Sequence, residues 1–275
     1  MRVTAQNQVL LGDGNGGAET FVGAGGAPSV IDLAPVFAAK QAAVLNLLLA
    51  DASPEEIIAA ALGAVDQRRF AIVSSFGTES AVLLAAAASV DRTIPVLLVD
   101  TGYLFPETLA YRDLLQSRLG LTDVRNLHPG ADETLVRDPD GDLYQRDPDG
   151  CCELRKVRPL GAALNGFDAW ANGRKRYQGA DRARISIVEG DRQRLKFNPL
   201  ANLNRGDIVT RFRGLNLPAH PLEKHGFASI GCMPCTSRVL PGEDPRAGRW
   251  RGRGKVECGI HTGLVSAAAA SAPGG

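Results

Sequence analysis

Five cysteines fall into two pairs and a single residue: Cys151 beside Cys152, Cys232 and Cys235 at a CxxC spacing, and Cys258 close to the C-terminus. Soft thiolates that converge on one centre make a metal or cluster site, whereas a nucleophilic thiol works alone and must be reachable. Four of the five therefore read as ligands and the fifth as a reactive group. Two pairs of thiolates suit either tetrahedral zinc or a cubane iron-sulphur cluster. Adjacent side chains diverge, which is awkward for one zinc ion and easier for a cluster whose corner irons spread their ligands. Cys258 lies in ECGIH, after Arg251, Arg253 and Lys255. Those cations favour its thiolate, Glu257 opposes it, and His261 can donate or accept a proton.

Candidate anion partners accompany the thiols. The segment Ser74-Ser75-Phe76-Gly77-Thr78-Glu79-Ser80 lies where an apolar strand turns into an apolar helix. Small hydroxyls, a glycine and a helix N-terminus can cradle phosphate there. The loop has neither the GxxxxGK[ST] lysine nor the GxGxxG glycines, so it is neither a Walker-type loop nor a dinucleotide fingerprint; a plain turn is the alternative. The next strand ends in Asp100-Thr101-Gly102. Lys156 follows the cysteine pair by one helical turn. Arg174, Lys175, Arg176 and Arg182 cluster in GRKRYQGADR, and Arg246 and Arg249 stand three apart in PGEDPRAGRW. Planar guanidinium forks suit phosphate or sulfate oxygens.

Strands alternating with helices would position these groups. Helices are expected over 37–49, from the Ser53-Pro54-Glu55-Glu56 capping signal onward, from Ala81, and over 106–119. Strands are expected at 70–73, 95–99 and 124–129, then at ISIVEG and RLKFNPL, with a helix over GDIVTRFRGLN. An acidic, turn-rich stretch, 132–150, leads to a helix over 152–164 that Pro159 interrupts. Continuous apolar strands alternating with helices imply an α/β fold, doubly wound, with a mostly parallel sheet covered on both faces. The expected organisation is a flexible Gly-rich N-terminus over 1–30, an α/β domain over 31–240, and a mobile segment over 241–275 that carries Cys258. With 275 residues, 44% hydrophobic residues and a net charge of +1, bulk electrostatics predict no nucleic-acid partner and no attraction to a membrane. Neither a signal peptide nor a bilayer-length apolar run is evident, so a cytoplasmic location is expected, where thiols stay reduced.

The motifs resemble those of one family. The 74–80 loop is similar to the phosphate loop SGGxDS of the PP-loop superfamily, in the modified form carried by its sulfonucleotide reductases, with Phe76 and Glu79 at the second-glycine and aspartate positions. CCELRKVRPL is similar to CCxxRKxxPL of the assimilatory adenylyl-sulfate (APS) reductases, and GCMPCT to their second cysteine pair. GRKRYQGADR is similar to GxRRxQSxTR, with Asp181 where Thr is typical; PGEDPRAGRW is similar to PGxxxRAGRW and ECGIH to ECGLH.

The resemblance, from about 70 to 261, implies an adenine nucleotide alpha hydrolase-like fold and a 4Fe-4S cluster on Cys151, Cys152, Cys232 and Cys235. It implies a nucleotide site drawn from Ser74, Ser75, Phe76, Gly77, Glu79, Ser80, Asp100, Thr101, Gly102, Lys156, Arg182, Arg246, Arg249 and His261. The implied reaction is thioredoxin-dependent reduction of APS to sulfite and AMP through a thiosulfonate on Cys258, as in sulfate assimilation for cysteine biosynthesis. Thioredoxin, or a glutaredoxin-like donor, is expected as a separate protein. Three other readings stand beside this one: a PAPS reductase, whose family typically lacks the four cysteines; a PP-loop tRNA-thiolating enzyme; and a non-catalytic zinc-binding module. Oligomeric state, a homo-oligomer included, is left open.

Overall fold

Phe70 and Ile72 of the run FAIV are buried on one side of their strand, and Ala71 and Val73 on the other, so the strand has no polar face. Such strands belong in a parallel sheet covered on both sides. The computed structural model, which describes residues 34–179, 182–191 and 193–260, has that architecture. Among the described residues, six strands are present: β1 Phe70–Val73, β2 Val96–Val99, β3 Val124–Leu127, β4 Ala169–Asn172, β5 Val188–Asp191 and β6 Arg194–Phe197. They lie in the order β3-β2-β1-β4-β6-β5, all parallel except the edge strand β5, which is antiparallel to β6. The sequence reading missed β4. AWAN is four residues with little strand signal, yet every one of them is buried in the middle of the sheet.

Helices α1 Ala34–Leu48, α2 Pro54–Ala64, α3 Ser80–Val90 and α4 Pro106–Leu119 share the larger core with Ile72, Val96, Leu98 and Ala171. The expected capping box of α2 is formed: Ser53 Oγ accepts from the Glu56 N–H and the Glu56 carboxylate accepts from the Ser53 N–H. On the opposite face Leu160 and Leu164 pack on Val73, Leu97 and Trp170. The strand order reverses between β1 and β4. In open α/β sheets that reversal opens a crevice at the carboxyl ends of the strands.

The acidic stretch folds into three short helices, α5 Ala131–Arg137, α6 Leu143–Arg146 and α7 Pro148–Cys152. A π turn, Glu153–Val157, separates α7 from α8 Arg158–Leu164. Pro159 follows the π turn directly, and the helical backbone runs on through it into α8 instead of being interrupted there. The remaining long helix is α9 Arg205–Gly214. No helix among the described residues is long and apolar enough to cross a membrane. The 1–30 segment, His261 and the end of the chain lie outside the described residues.

Within the π turn, Arg155 is buried and fully engaged. Its Nε and Nη2 donate to Asp138 Oδ2 at 3.1 and 2.7 Å, its Nη1 donates to the Thr101 carbonyl at 3.0 Å, and its guanidinium lies 4.4 Å from the Tyr103 ring centre. Asp138 also accepts from the Leu143 N–H at 2.8 Å, and these donors hold its carboxyl below the usual range against the opposing effect of burial. Removing one partner of a buried ion pair costs about 3–5 kcal/mol, against about 0–1 kcal/mol for an exposed pair. Asp138→Ala is therefore expected to lower the unfolding free energy by several times as much as Asp168→Ala, which cuts the half-exposed pair Arg69–Asp168. Parallel denaturant titrations of the two variants check this.

His220 joins α4 to the loop that follows β1. Its Nε2 lies 3.0 Å from Thr108 Oγ1, its Nδ1 accepts from the Leu222 N–H, and its own N–H donates to Thr78 Oγ1. That arrangement needs the neutral imidazole, and burial holds the pKa below its usual 6.5 despite the attraction of Glu107. A group that resists protonation when folded costs nothing above its unfolded pKa and removes stability as pH falls below it. The thermal midpoint is expected to fall between pH 7 and pH 5 in the wild type and to fall less in His220→Gln.

Candidate active site

Phe76 shapes the loop after β1. It adopts a left-handed φ of 50° with its side chain wholly buried in the main core, a conformation that costs a bulky residue about 1–3 kcal/mol. Its N–H is satisfied by Ser74 Oγ at 3.1 Å. Among the described residues, the backbone N–H groups of Ser75, Gly77, Thr78 and Glu79 have no acceptor, and α3 begins immediately after them. Unpaired amides at a helix N-terminus form an anion cradle. It opens on a cleft of about 1630 Å³, mouth included, at the β1/β4 reversal.

Ser74, Ser75, Gly77, Glu79, Ser80, Thr101, Lys156, Arg182, Arg246, Arg249 and Cys258 all line this cleft. Three expected residues lie elsewhere. Phe76 points into the core, so only its backbone shapes the cradle. Asp100 accepts from the Gly102 N–H at 3.1 Å and lies 3.9 Å from His128 Nδ1, so Asp100 and Gly102 build the turn beneath Thr101. Glu79, by contrast, reaches the cleft but is engaged by protein: its carboxylate accepts from Lys175 Nζ at 2.7 Å, Tyr177 OH at 2.8 Å and Gln178 Nε2 at 2.6 Å. Burial opposes its charge, yet Lys175 and the two neutral donors keep its carboxyl below the usual range.

The cations differ in what they already bind. Arg174 is buried among Glu189, Asn172 and Asn198, and Arg182 forks onto Glu257 at 2.6 and 2.9 Å. Lys156 is buried and has no hydrogen-bond or ion-pair partner among the described residues. Burial opposes its charge, but the sulfurs of Cys232, Cys258 and Cys152 outweigh that cost and hold its pKa above the usual range. Arg249 is nearly free: Nη1 donates weakly to the Ile230 carbonyl at 3.4 Å, Nε is buried without a partner, and the guanidinium stacks 4.4 Å from the Trp250 ring centre. Gly231 makes that position available, because a Cβ there would overlap the Arg249 guanidinium.

The two cysteine pairs meet. Asp147 caps α7 through the Gly150 N–H at 2.9 Å, and Gly150 has no room for a Cβ beside the Asp147 carboxylate, which fixes the turn into Cys151. The CxxC segment is pinned on both sides, by the Met233 N–H to the Tyr103 carbonyl at 2.8 Å and by the Trp250 N–H to the Cys235 carbonyl at 3.0 Å. Cys151, Cys152, Cys232 and Cys235 are all buried and line one narrow cavity of about 280 Å³, mouth included. That cavity shares Thr101, Lys156 and Cys232 with the cleft. Burial and then the neighbouring sulfurs push the Cys151 thiol up to about 12. Among the described residues, no three His, Cys, Asp or Glu side chains are gathered as a single metal ion requires.

Sequence reasoning missed several lining residues, including Tyr177, Gln178, Arg205, Phe227 and Ile230, and read Glu257 only as a charge beside Cys258. Tyr177 and Gln178 adjoin a basic group that was singled out, so the signal was present; Phe227 and Ile230 precede GCMPCT with no local mark of function.

The chain matches the model of the phosphoadenosine phosphosulfate reductase domain over residues 69–238. It is 48% identical to an adenosine 5'-phosphosulfate reductase of Chelativorans sp. (strain BNC1), covering 71% of this chain and 80% of that one. It is 44% identical to the enzyme of the same name from Mesorhizobium japonicum, covering 81% and 88%. It is also 39% identical to a phosphoadenosine 5'-phosphosulfate reductase of Gloeobacter violaceus, covering 77% and 89%. The crystal structure of phosphoadenylyl-sulfate (PAPS) reductase from Candida auris shares the fold, with a TM-score of 0.61 at 22% identity over 73% of this chain and 97% of that one. A doubly wound sheet with an anion cradle at its reversal, matched at this identity over most of the length of its relatives, places the chain in the phosphoadenosine phosphosulfate reductase domain family.

Proposed function

We propose that the chain reduces adenosine 5'-phosphosulfate to sulfite and AMP, with Cys258 as the nucleophile. The observation that carries the reading is the meeting, in one cleft, of Cys258 with an amide cradle and two nearly unpaired cations, Lys156 and Arg249. The cradle and Arg246 suit the phosphate, and Lys156 and Arg249 suit the sulfate end that the thiol must reach. The Cys258 thiolate attacks the sulfate sulfur, the sulfur–oxygen bond to phosphate breaks, and AMP departs with that electron pair. A thiosulfonate remains on Cys258. A thiolate of a dithiol donor then attacks Cys258 Sγ and releases sulfite, and the second donor thiol resolves the mixed disulfide. Two electrons pass from the donor to sulfur. A thioredoxin, or a glutaredoxin-like protein, has the required dithiol chemistry, and covalent capture divides one hard displacement into two easier ones.

The four buried thiols fit a 4Fe-4S cluster. They line a common cavity without crowding onto one point, and the Trp250 Nε1, buried beside Cys232 and Cys235, has no acceptor among the described residues. Cys151, Cys152, Cys232 and Cys235 would hold the group. When bound it would supply charge and polarisation next to Lys156 and the sulfate end of the cleft. Thr101, whose Oγ1 lies 3.3 Å from Cys232 Sγ, would orient that ligand.

A PAPS-type substrate is the second reading, favoured by the Gloeobacter relative's name. Rapid mixing with APS and with PAPS, followed by intact mass measurement, separates the two. A sulfite-sized adduct is expected with APS, absent in Cys258→Ser and discharged by reduced thioredoxin; adduct formation with PAPS alone would reverse the substrate assignment. Anaerobically purified protein is expected to contain about four irons and four sulfides per chain with broad absorption near 400 nm, both lost in Cys151→Ser. Stoichiometric zinc without iron would overturn the cluster assignment.

A further inference from the structure

The segment that carries Cys258 contains no helix or strand among its described residues, yet it lies against the cleft. Glu257 supplies its strongest link. The carboxylate takes both arms of the Arg182 fork, at 2.6 and 2.9 Å, and lies 3.4 Å from Arg246 Nη2. Arg246 Nη2 also donates to the Val256 carbonyl at 2.8 Å, one residue earlier. Arg182 is held from behind by Gln178, whose amide donates to Glu79 at the start of α3. A continuous polar chain, Glu79 to Gln178 to Arg182 to Glu257, thus runs from the anion cradle to the residue bonded to Cys258.

We infer that Glu257 is a positioning residue: its carboxylate latches the Cys258 segment onto Arg182 and Arg246 and so sets the reach of the thiol into the cleft. The inference rests on the reading of Cys258 as nucleophile. Bidentate carboxylate–guanidinium pairing fixes orientation as well as distance, and for in-line attack on sulfur a misplacement of about 1 Å is worth roughly 100-fold in rate. Glu257 touches no reacting atom in this scheme. It also offsets part of the charge of two cleft arginines, while Lys156 and Arg249 have no ion-pair partner among the described residues.

Two measurements on the full chain test the latch. The first is alkylation of Cys258 by iodoacetamide without nucleotide, followed by peptide mass. Release of the segment should raise the rate about tenfold in Glu257→Ala and less in Glu257→Gln, which keeps a hydrogen-bonding head of the same shape. The second is single-turnover adduct formation over a range of APS concentrations. The saturating rate is expected to fall about 10- to 100-fold in Glu257→Ala, with partial recovery in Glu257→Gln, while the half-saturating concentration stays within about threefold. Unchanged alkylation together with an unchanged saturating rate overturns the inference. So does a rise in the half-saturating concentration alone, which would make Glu257 a tuner of substrate affinity. If the wild type forms no adduct with APS, the proposed reaction fails, while the alkylation contrast still reads the latch.

Discussion

The buried Arg155 guanidinium ties the cysteine-bearing helix to the cleft side of the sheet. It binds Asp138 from the acidic connection, the Thr101 carbonyl at the end of β2, and the face of Tyr103. Those contacts set α7 and its two cysteines at a fixed distance from the loop that pins the CxxC segment, since Met233 bonds to the Tyr103 carbonyl. The π turn is the geometric means. It places Arg155 inward while Lys156, the next residue, faces both the thiol cavity and the cleft. A buried ion pair is a poor source of net stability, because desolvation offsets much of its attraction. Its value here is orientation.

Charge in the cleft is arranged by what is already spent. Lys175 is committed to Glu79, Arg174 to Glu189, and Arg182 to Glu257. These pairs shape the walls and hold the loops. Lys156 and Arg249 keep their capacity for an oxyanion, because the buried Lys156 ammonium and the Arg249 Nε have no hydrogen-bond acceptor among the described residues. A site built this way favours a ligand that brings its own negative charge. Near-neutral net charge over the whole chain is consistent with an attraction that is local to one cleft.

Glu79 shows how protein donors can claim a carboxylate that lines the cleft. It stands at the start of α3, beside the unpaired amides of the cradle. Three donors from the 175–178 segment turn it toward protein instead. The loop presents its amide cradle and is linked through Gln178 to Arg182, which pairs with Glu257.

Much of this was legible in the residues themselves. The split of the thiols, the capping box at Ser53 and Glu56, the dry strands FAIV and VLLV and the clusters of arginine all follow from neighbours a few positions apart, which is the range over which caps and periodicity act. The family resemblance added the choice of a 4Fe-4S cluster over zinc for the two cysteine pairs. What only the tertiary structure decided lies between residues far apart in the chain: Glu79 with Lys175 across 96 positions, Arg182 with Glu257 across 75, Arg155 with Thr101 across 54. It also decided that Phe76 turns into the core, that AWAN is the strand beside the reversal, and that Lys156 and Arg249 remain unspent. Sequence determines which groups are available, because chemistry belongs to side chains. Topology decides which are neutralised and which are left for a ligand, because pairing depends on which strand ends and loops the sheet brings to one edge.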